Sequence, residues 1–243
     1  MTLSIIIPCK NEEDLIYKNL YIINNKIKKS IKKYQIIVVN DFSEDNTLKI
    51  ARKFAKNFKN IIVRNNKIKG LGGAINLGIK ASTNRFICIM MADLSDSPAD
   101  LIKYYNIIST NKLDAVFGSR FIKGSNLVDY PFQKLVYNRI FNYFVKIFFI
   151  SDYNDFTNAF KIYKKQTLRQ IGPFISENFN IFLEIPLKII IRKKKYKIIP
   201  ISWKNRKKGI SKFKVKELSS KYFFTFINCF IEKILIKWSV FYF

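Results

Sequence analysis

The chain has 243 residues, of which 49% are hydrophobic, so it can bury a sizeable core and a disordered protein is excluded. Its 44 Lys and Arg residues outnumber 17 Asp and Glu residues for a net charge of +27, and histidine is absent, which excludes Ser-His-Asp triads and histidine metal ligands. The three cysteines (Cys9, Cys88 and Cys229) lie too far apart in sequence for a zinc knuckle or a disulfide framework, and this usage suits a reducing compartment.

Short apolar runs alternate with helical patterns through the first half of the chain. The runs predict strands at residues 3–8, 35–40, 60–64, 85–91 and 114–118. Helices are predicted at residues 11–30, 45–58 and 98–110, and from a glycine-rich turn to residue 81. Continuous apolar strands that alternate with helices indicate an α/β fold, with a mostly parallel central sheet covered by helices on both faces.

The pattern changes after residue 118. A long, very apolar helix is predicted at 131–149, with polar residues four apart along one side at Lys134, Asn138, Asn142 and Lys146. The remaining elements are a loop around 152–158, a strand at 160–163, a helix near 181–192, a strand at 198–203 and a basic loop at 205–212. We expect one α/β domain at 1–217 and an apolar, aromatic helical extension at 218–243. No signal peptide or transmembrane helix is predicted.

The glycine-rich turn Gly70-Leu71-Gly72-Gly73 approaches a dinucleotide-binding fingerprint. However, Ile75 replaces the third glycine, and the turn follows the third strand, whereas such a fingerprint belongs after the first. The sequence therefore argues against NAD binding. A turn that lets Lys69 approach a phosphate is the better interpretation.

Carboxylates follow two of the predicted strands. Asp41 ends the second strand, where a ligand of a parallel sheet is expected, whereas Ser43 and Asp45 fit an ordinary polar turn and helix cap. Asp93 and Asp96 follow the fourth strand with Ser95 between them, and three such oxygen donors suit Mg²⁺ or Mn²⁺. Asp96 also fits the cap of the helix that begins at 98.

Six segments, taken in order, carry a family resemblance. Three resemble the nucleotide-sugar half of family 2 glycosyltransferases: Ser4-Ile5-Ile6-Ile7-Pro8-Cys9-Lys10-Asn11-Glu12, Asn40-Asp41-Phe42-Ser43-Glu44-Asp45-Asn46-Thr47 and Met91-Ala92-Asp93-Leu94-Ser95-Asp96. Three resemble the dolichyl- or polyprenyl-phosphate mannosyltransferase branch: Gly118-Ser119-Arg120-Phe121, Asn154-Asp155-Phe156-Thr157-Asn158-Ala159-Phe160-Lys161 and Asn205-Arg206-Lys207-Lys208-Gly209-Ile210-Ser211-Lys212. The resemblance covers about residues 3–217.

The resemblance implies a sheet of the nucleotide-diphospho-sugar transferase type, with the donor and a divalent metal at the strand ends. It implies that Pro8, Asn11 and Glu12 border the base and that Asp41 binds the base or the ribose. It also implies that Asp93 holds the metal. The usual Asp-x-Asp reads Met91-Ala92-Asp93 here, and a thioether does not replace a hard oxygen ligand, so Ser95, Asp96 or water would complete the shell.

The remaining catalytic roles come from the same resemblance. Arg206 and Lys212 would bind the donor diphosphate, Arg120 would face the acceptor phosphate and Asp155 would organise the site. The activity implied is inverting transfer of mannose or glucose, from GDP-mannose or UDP-glucose, to a polyprenyl or dolichyl phosphate. Such a phosphate is already an anion, so the missing histidine is no obstacle.

Two alternatives accompany this prediction. One is a family 2 enzyme that acts on a cell-surface glycan acceptor. The other is a nucleic-acid-binding protein that uses basic runs such as 192–195, but no recognised nucleic-acid motif accompanies these runs, so we expect no such partner. The charge also fits a compositional bias toward Lys, Asn, Ile, Phe and Tyr.

Aromatic residues crowd two segments, the 131–149 helix and the C-terminal stretch from 222. They include Phe148, Phe149, Phe223, Phe224, Phe226, Phe230, Trp238 and Phe241. With Lys146, Lys233 and Lys237 at its margin, such a surface suits a helix that lies in a lipid headgroup zone, so we expect a cytoplasmic protein attached peripherally to the cytoplasmic face of a membrane. A homodimer interface is the alternative.

Overall fold

The computed structural model describes residues 2–205 and 215–241. Its strands are β1 (Leu3–Cys9), β2 (Tyr34–Asn40), β3 (Ile61–Asn65), β4 (Phe86–Ile89), β5 (Ala115–Ser119), β6 (Asn126–Val128), β7 (Lys161–Lys164), β8 (Tyr196–Pro200) and β9 (Ser202–Lys204). Its helices are α1 (Glu13–Lys28), α2 (Thr47–Ala55), α3 (Leu71–Ala81), α4 (Pro98–Thr110), α5 (Phe132–Phe149), α6 (Lys165–Ile171), α7 (Ile181–Ile191) and α8 (Val215–Phe241).

Seven of the strands form one sheet in the order β3-β2-β1-β4-β7-β5-β8. All neighbours are parallel except β7, which is antiparallel to both β4 and β5. Strands β6 and β9 pair separately. The predicted α/β fold with a mostly parallel central sheet is therefore confirmed.

Alternate side chains of the buried strands serve two different cores. Ile5 and Ile7 of β1 pack with α1, α2 and α4 on one face of the sheet. Ile6 packs with α3, α7 and α8 on the other face. Because both faces are covered, the strand has no polar side, and this explains the continuous apolar run in its sequence. Each such side chain contributes about 1.5–3 kcal/mol when fully buried.

Several predicted boundaries differ from the observed ones. Helix α1 begins at Glu13, because Asn11 has a φ of 48° and lies outside the helix. The strand predicted at 198–203 is two strands, β8 in the main sheet and β9 against β6. The short elements β6 and α6 were not predicted, since three and seven residues carry too little periodicity to recognise.

Helix α5 is turned with its polar side inward. Asn142 is fully buried, and Asn138 and Asn142 both donate to Thr157 Oγ1, at 2.8 and 3.2 Å. The exposed side is apolar and carries Phe132, Val136, Tyr137, Ile140, Tyr143, Phe144, Ile147 and Phe148. A surface helix usually buries its apolar side and exposes its polar side, and α5 does the opposite. An exposed apolar side of this size is typical of a surface that binds a membrane or another protein.

Helix α8 packs beside α5 and belongs partly to the core. Tyr222, Phe226 and Cys229 are buried in the cluster that also contains Phe149. Its outer side exposes Phe223, Phe224, Ile227, Ile231, Ile234 and Leu235. Within residues 2–205 and 215–241, no helix combines the length and apolarity needed to cross a membrane.

Candidate functional site

A cleft of about 1440 Å³ lies at the carboxyl ends of the parallel strands. It collects most of the site residues predicted from sequence: Pro8, Asn11, Glu12, Asp41, Lys69, Asp93, Ser95, Asp96 and Arg120. The strand-end argument explains why, because β1, β2, β4 and β5 run parallel and end at the same edge. Arg206 and Lys212 lie outside the described residues, although Asn205, just before them, lines the cleft.

The turns after β1 and β2 are bonded to each other. Asn11 Oδ1 accepts from the Glu44 N–H at 2.9 Å, and the Glu12 N–H donates to Thr47 Oγ1 at 2.7 Å. Asp45 accepts N–H groups from both Glu13 and Thr47, so it joins the two turns as well as shaping its own. These bonds hold the segment that borders one end of the cleft.

Asp41 fixes the glycine-rich turn. Its Oδ1 accepts from Asn66 Nδ2 at 2.8 Å and from the Gly70 N–H at 2.9 Å. Within the described part of the chain, no hydrogen bond reaches the other oxygen, Oδ2, which therefore has capacity for a ligand.

The glycines of this turn serve a protein contact. A Cβ on Gly72 would stand 1.9 Å from Ser176 O, and one on Gly70 would stand 2.3 Å from Glu177 O. The Gly72 N–H donates to Glu177 O at 2.8 Å, so this helix N-terminus is occupied by the 173–178 segment. Lys69 still lines the cleft, as the phosphate prediction requires.

The carboxylates after β4 repel each other. Asp96 is buried, its Oδ1 has no hydrogen-bond partner in the described chain, and burial together with Asp93 raises its pKa to about 7. Asp93 Oδ1 accepts from the Ser95 N–H at 3.0 Å. The cap predicted for Asp96 is wrong: Ser97 Oγ caps α4 by accepting from the Ala99 N–H at 3.2 Å.

This arrangement fits a divalent cation. Two mutually repelling carboxylates, one with an orphaned buried oxygen, would both be relieved by a positive ion. Within residues 2–205 and 215–241, no group of three or more Asp, Glu or Cys side chains converges as a metal centre. The protein ligands of such a cation would therefore be Asp93, Asp96 and the Ser95 hydroxyl. Water and phosphate oxygens would complete its coordination.

Arg120 and Asp155 form a buried ion pair at the end of β5. Arg120 donates from Nε and Nη2 to the two oxygens of Asp155, at 2.8 and 2.6 Å, and its backbone N–H also donates to Oδ2. Burial disfavours the charge on Arg120, but Asp155 outweighs burial and raises the pKa of the guanidinium. Asp155 itself is fully buried behind Arg120, which lines the cleft.

Three groups at the site were not selected from sequence. Lys161 is fully buried beside the ion pair, where burial lowers its pKa to about 7. Tyr130 and Trp203 line the cleft next to Arg120. Asp41 was selected because ligands bind at the carboxyl ends of strands in a parallel sheet. Trp203 ends the strand predicted at 198–203, so the same argument could have selected it.

The other half of the cleft is apolar. Helix α5 contributes Tyr137, Ile140, Phe141 and Phe144 to its walls. The remaining wall residues are Phe179, which precedes α7, Phe182 of α7, and Tyr222 and Phe223 of α8. The site is therefore a single cleft whose lining combines carboxylates and Arg120 with a wall of aromatic side chains.

Comparison with known proteins identifies a family and several relatives of this chain. A family model described as glycosyl transferase family 2 matches residues 4–172. The dolichol-phosphate mannosyltransferase of Pyrococcus furiosus is 28% identical over 224 residues, 90% of this chain and 61% of that protein. The dolichyl-phosphate beta-glucosyltransferase of Dictyostelium discoideum is 29% identical over 188 residues, 70% of this chain and 56% of that protein. The chain thus spans about three fifths of the length of these relatives.

Solved structures share the fold. The glucosyl-3-phosphoglycerate synthase of Mycobacterium tuberculosis, solved with Mn²⁺, UDP and glucosyl-3-phosphoglycerate, has a TM-score of 0.71 at 13% identity over 94% of this chain and 79% of that one. The same enzyme with Mg²⁺ and UDP has a TM-score of 0.70 at 14% identity, over 94% of this chain and 79% of that one. The predicted nucleotide-diphospho-sugar transferase fold is confirmed.

Proposed function

The chain belongs to glycosyltransferase family 2, and on that premise we propose that it transfers a hexose from a nucleotide-diphospho-sugar to a polyprenyl or dolichyl phosphate. One observation carries the proposal. Arg120 lines the cleft close to both carboxylate and aromatic groups, since its charge acts on Asp96 and its Cζ lies 5.5 Å from the ring centroid of Tyr130. A phosphate on a long apolar chain requires that combination, because its charge needs a cation while its chain needs apolar surface. Two of the relatives are named for dolichol or dolichyl phosphate.

The donor would occupy the polar end. We assign the base or ribose to Asp41 with Pro8, Asn11 and Glu12 beside it. The diphosphate would lie between the carboxylates after β4 and the cations of the basic loop, Arg206 and Lys212. Lys69, at the glycine-rich turn, is a further cation on the same side of the cleft.

Transfer needs no general base at this site. An oxygen of the acceptor phosphate, held by Arg120, attacks the anomeric carbon; the bond from that carbon to the donor diphosphate breaks, and the configuration inverts. Asp155 holds the guanidinium in place through two hydrogen bonds. Asp93, Ser95 and Asp96 would hold a Mg²⁺ or Mn²⁺ ion, which would supply charge neutralisation for the leaving diphosphate.

The protein would act at the cytoplasmic face of a membrane, attached by the apolar sides of α5 and α8. Those sides are exposed and continue from the aromatic end of the cleft, since Tyr137, Ile140 and Phe223 belong to both. A lipid phosphate in the headgroup layer would therefore enter the cleft without leaving the membrane surface.

The test is transfer by the full-length protein from labelled GDP-mannose or UDP-glucose, with Mg²⁺, to a short polyprenyl phosphate. We expect a labelled glycolipid with the inverted anomer. Arg120→Lys keeps a charge beside Asp155 but loses the planar fork, so it should raise KM for the lipid phosphate about tenfold or more. Arg85→Gln, which removes an exposed arginine at the opposite edge of the sheet, is the matched control. Transfer to a cell-surface glycan, with none to lipid phosphate, would favour the alternative.

A further inference from the structure

Two aromatic side chains lie beside the centre of the proposed reaction. Trp203 is fixed on β9, where its backbone bridges Asp96 and the adjacent Lys204 N–H donates to Ser95 O at 3.0 Å. Tyr130 precedes α5, and its ring centroid lies 4.8 Å from that of Trp203, with 58° between the ring planes. Both side chains are partly exposed and line the cleft.

The same pair also reaches the cation on the acceptor side. Arg120 Cζ lies 5.5 Å from the ring centroid of Tyr130 and 6.0 Å from that of Trp203. The two rings therefore extend from the Asp96 loop, where the leaving diphosphate would be held, to the guanidinium that would hold the attacking phosphate.

The transferred sugar is the group that must occupy this interval. In-line displacement places the anomeric carbon between the leaving oxygen and the attacking oxygen, with the reacting atoms about 3–3.5 Å apart. A hexopyranose presents C–H groups on its ring faces and hydroxyls around its rim. An aromatic surface covers such a face well and leaves the rim to polar partners.

We propose that Trp203 and Tyr130 form the platform that binds the hexose of the donor. This inference rests on the proposed function, because it needs a nucleotide-diphospho-hexose in the cleft. It goes further by assigning the sugar, apart from the nucleotide, to two named side chains. A nucleoside diphosphate lacks the hexose, so loss of the platform should weaken the nucleotide sugar selectively.

The experiment is calorimetric titration of the full-length protein with Mg²⁺, using GDP against GDP-mannose and UDP against UDP-glucose. For the pair that binds, Trp203→Ala should weaken the nucleotide sugar about tenfold and change the affinity for the nucleoside diphosphate less than about twofold. Trp203→Phe keeps a ring and should recover most of the loss. Tyr21→Ala, an exposed aromatic on α1 outside the cleft, is the control and should change neither affinity.

The nucleoside diphosphate, which carries no sugar, tests whether a substitution has weakened the nucleotide site as a whole. Equal weakening of both ligands by Trp203→Ala would mean that the residue only supports the Asp96 loop, and this would overturn the platform. If Trp203→Ala does not fold, Tyr130→Leu keeps an apolar side chain, removes the ring and must still produce the selective loss. Failure of the unmodified protein to bind any of the four ligands would instead overturn the proposed function, and the platform with it.

Discussion

Four ionisable side chains are buried together at the site. Asp96, Asp155, Arg120 and Lys161 are each at most 8% exposed, and burial shifts the pKa of both Asp96 and Lys161 to about 7. A single unpaired charge at such depth would be very unfavourable, so each member depends on the others. Asp93, at the rim, is less buried than these four side chains and raises the pKa of Asp96, so we expect its substitution to affect cation binding more than folding.

Asp93→Asn should remove metal-dependent binding while leaving the fold intact. Asparagine keeps the oxygen that accepts from the Ser95 N–H and also reduces the repulsion of Asp96. We expect the melting midpoint without metal to change little, and the stabilisation by Mg²⁺ with a nucleoside diphosphate to be lost. Turnover should fall about 10²-fold or more.

The measurement is thermal unfolding with and without ligand, beside an assay of transfer. Asp152→Asn, an exposed carboxylate in the neighbouring 151–158 loop, is the control. A variant at Asp93 that keeps the full ligand-induced shift would exclude this carboxylate from the metal site.

Lys161 predicts a specific dependence of stability on pH. Burial lowers its pKa to about 7, whereas an unfolded lysine titrates near 10.4. Between about pH 7 and 10 the unfolded state binds a proton that the folded state lacks, so the free energy of unfolding rises with pH by up to about 1.4 kcal/mol per unit. Below pH 7 both states are protonated and this contribution is flat.

Lys161→Met should abolish that slope. Urea unfolding at pH 7, 8 and 9 measures it, and Lys164→Met, which replaces a partly exposed lysine on the same strand, is the control. The same slope in wild type and in Lys161→Met would mean that the lysine keeps its proton in the folded state.

At the scale of elements, the strands of the first half could be predicted because each one contains a short apolar run, and most of these runs are buried. The insertion of β7 between β4 and β5 could not, since it depends on a pairing between residues 86–89 and 161–164 that leaves no local pattern. Tyr130 was missed for the same reason, because Trp203, the ring that it contacts, comes from a distant segment.

The turn at the start of α3 was predicted from its glycines, but their physical reason is different. They admit the backbone of the 173–178 segment, which Glu184 fixes by accepting the N–H groups of Ile175 and Ser176 at 3.1 and 2.9 Å. This segment contributes Glu177 and Asn178 to the cleft. The sequence could not have distinguished a phosphate from a polypeptide as the group that approaches the turn.

Gly72→Ala should destabilise the protein, although alanine is the better helix former. A Cβ there would stand 1.9 Å from Ser176 O and 2.7 Å from Glu177 C, both backbone atoms, so the segment must move. We expect a loss of about 1–3 kcal/mol in the free energy of unfolding, against a propensity gain of at most about 1 kcal/mol.

Denaturant unfolding checks the sign directly. Lys80→Ala, an exposed position in the same helix, should be close to neutral. A stabilised Gly72→Ala would mean that the 173–178 segment does not pack against this turn.

At the scale of the whole molecule, the aromatic excess read from the sequence divides into two populations. Part of it is core, such as Phe226, whose ring stacks with Phe230 at 6.1 Å and meets Phe149 edge-on at 5.6 Å. The rest is the exposed sides of α5 and α8. The sequence could not separate these populations, because apolar residues occur on every side of α8. Which side faces the core is decided by packing against the rest of the protein. Deletion of α8 is therefore a poor test of membrane binding, since it would also open the core.

Point substitutions on the exposed side of α8 provide the better test. Phe224 and Leu235 are each 63% exposed, and neither lines the cleft. Changing both to Ser should release the protein from vesicles that contain phosphatidylglycerol, because two such side chains in the interface contribute about 2–3 kcal/mol, or about 30- to 150-fold in partitioning. The lysines at the margin add about 1 kcal/mol each near an anionic surface, so high salt should weaken the attachment further.

The measurement is vesicle sedimentation at low and high salt, with Tyr21 and Ile22 of α1 changed to Ser as the matched control, since both are exposed on a different helix. If the Phe224 and Leu235 variant sediments as wild type does, the side of α8 is not a membrane anchor; a change from dimer to monomer in gel filtration would then assign it to a second copy of the chain.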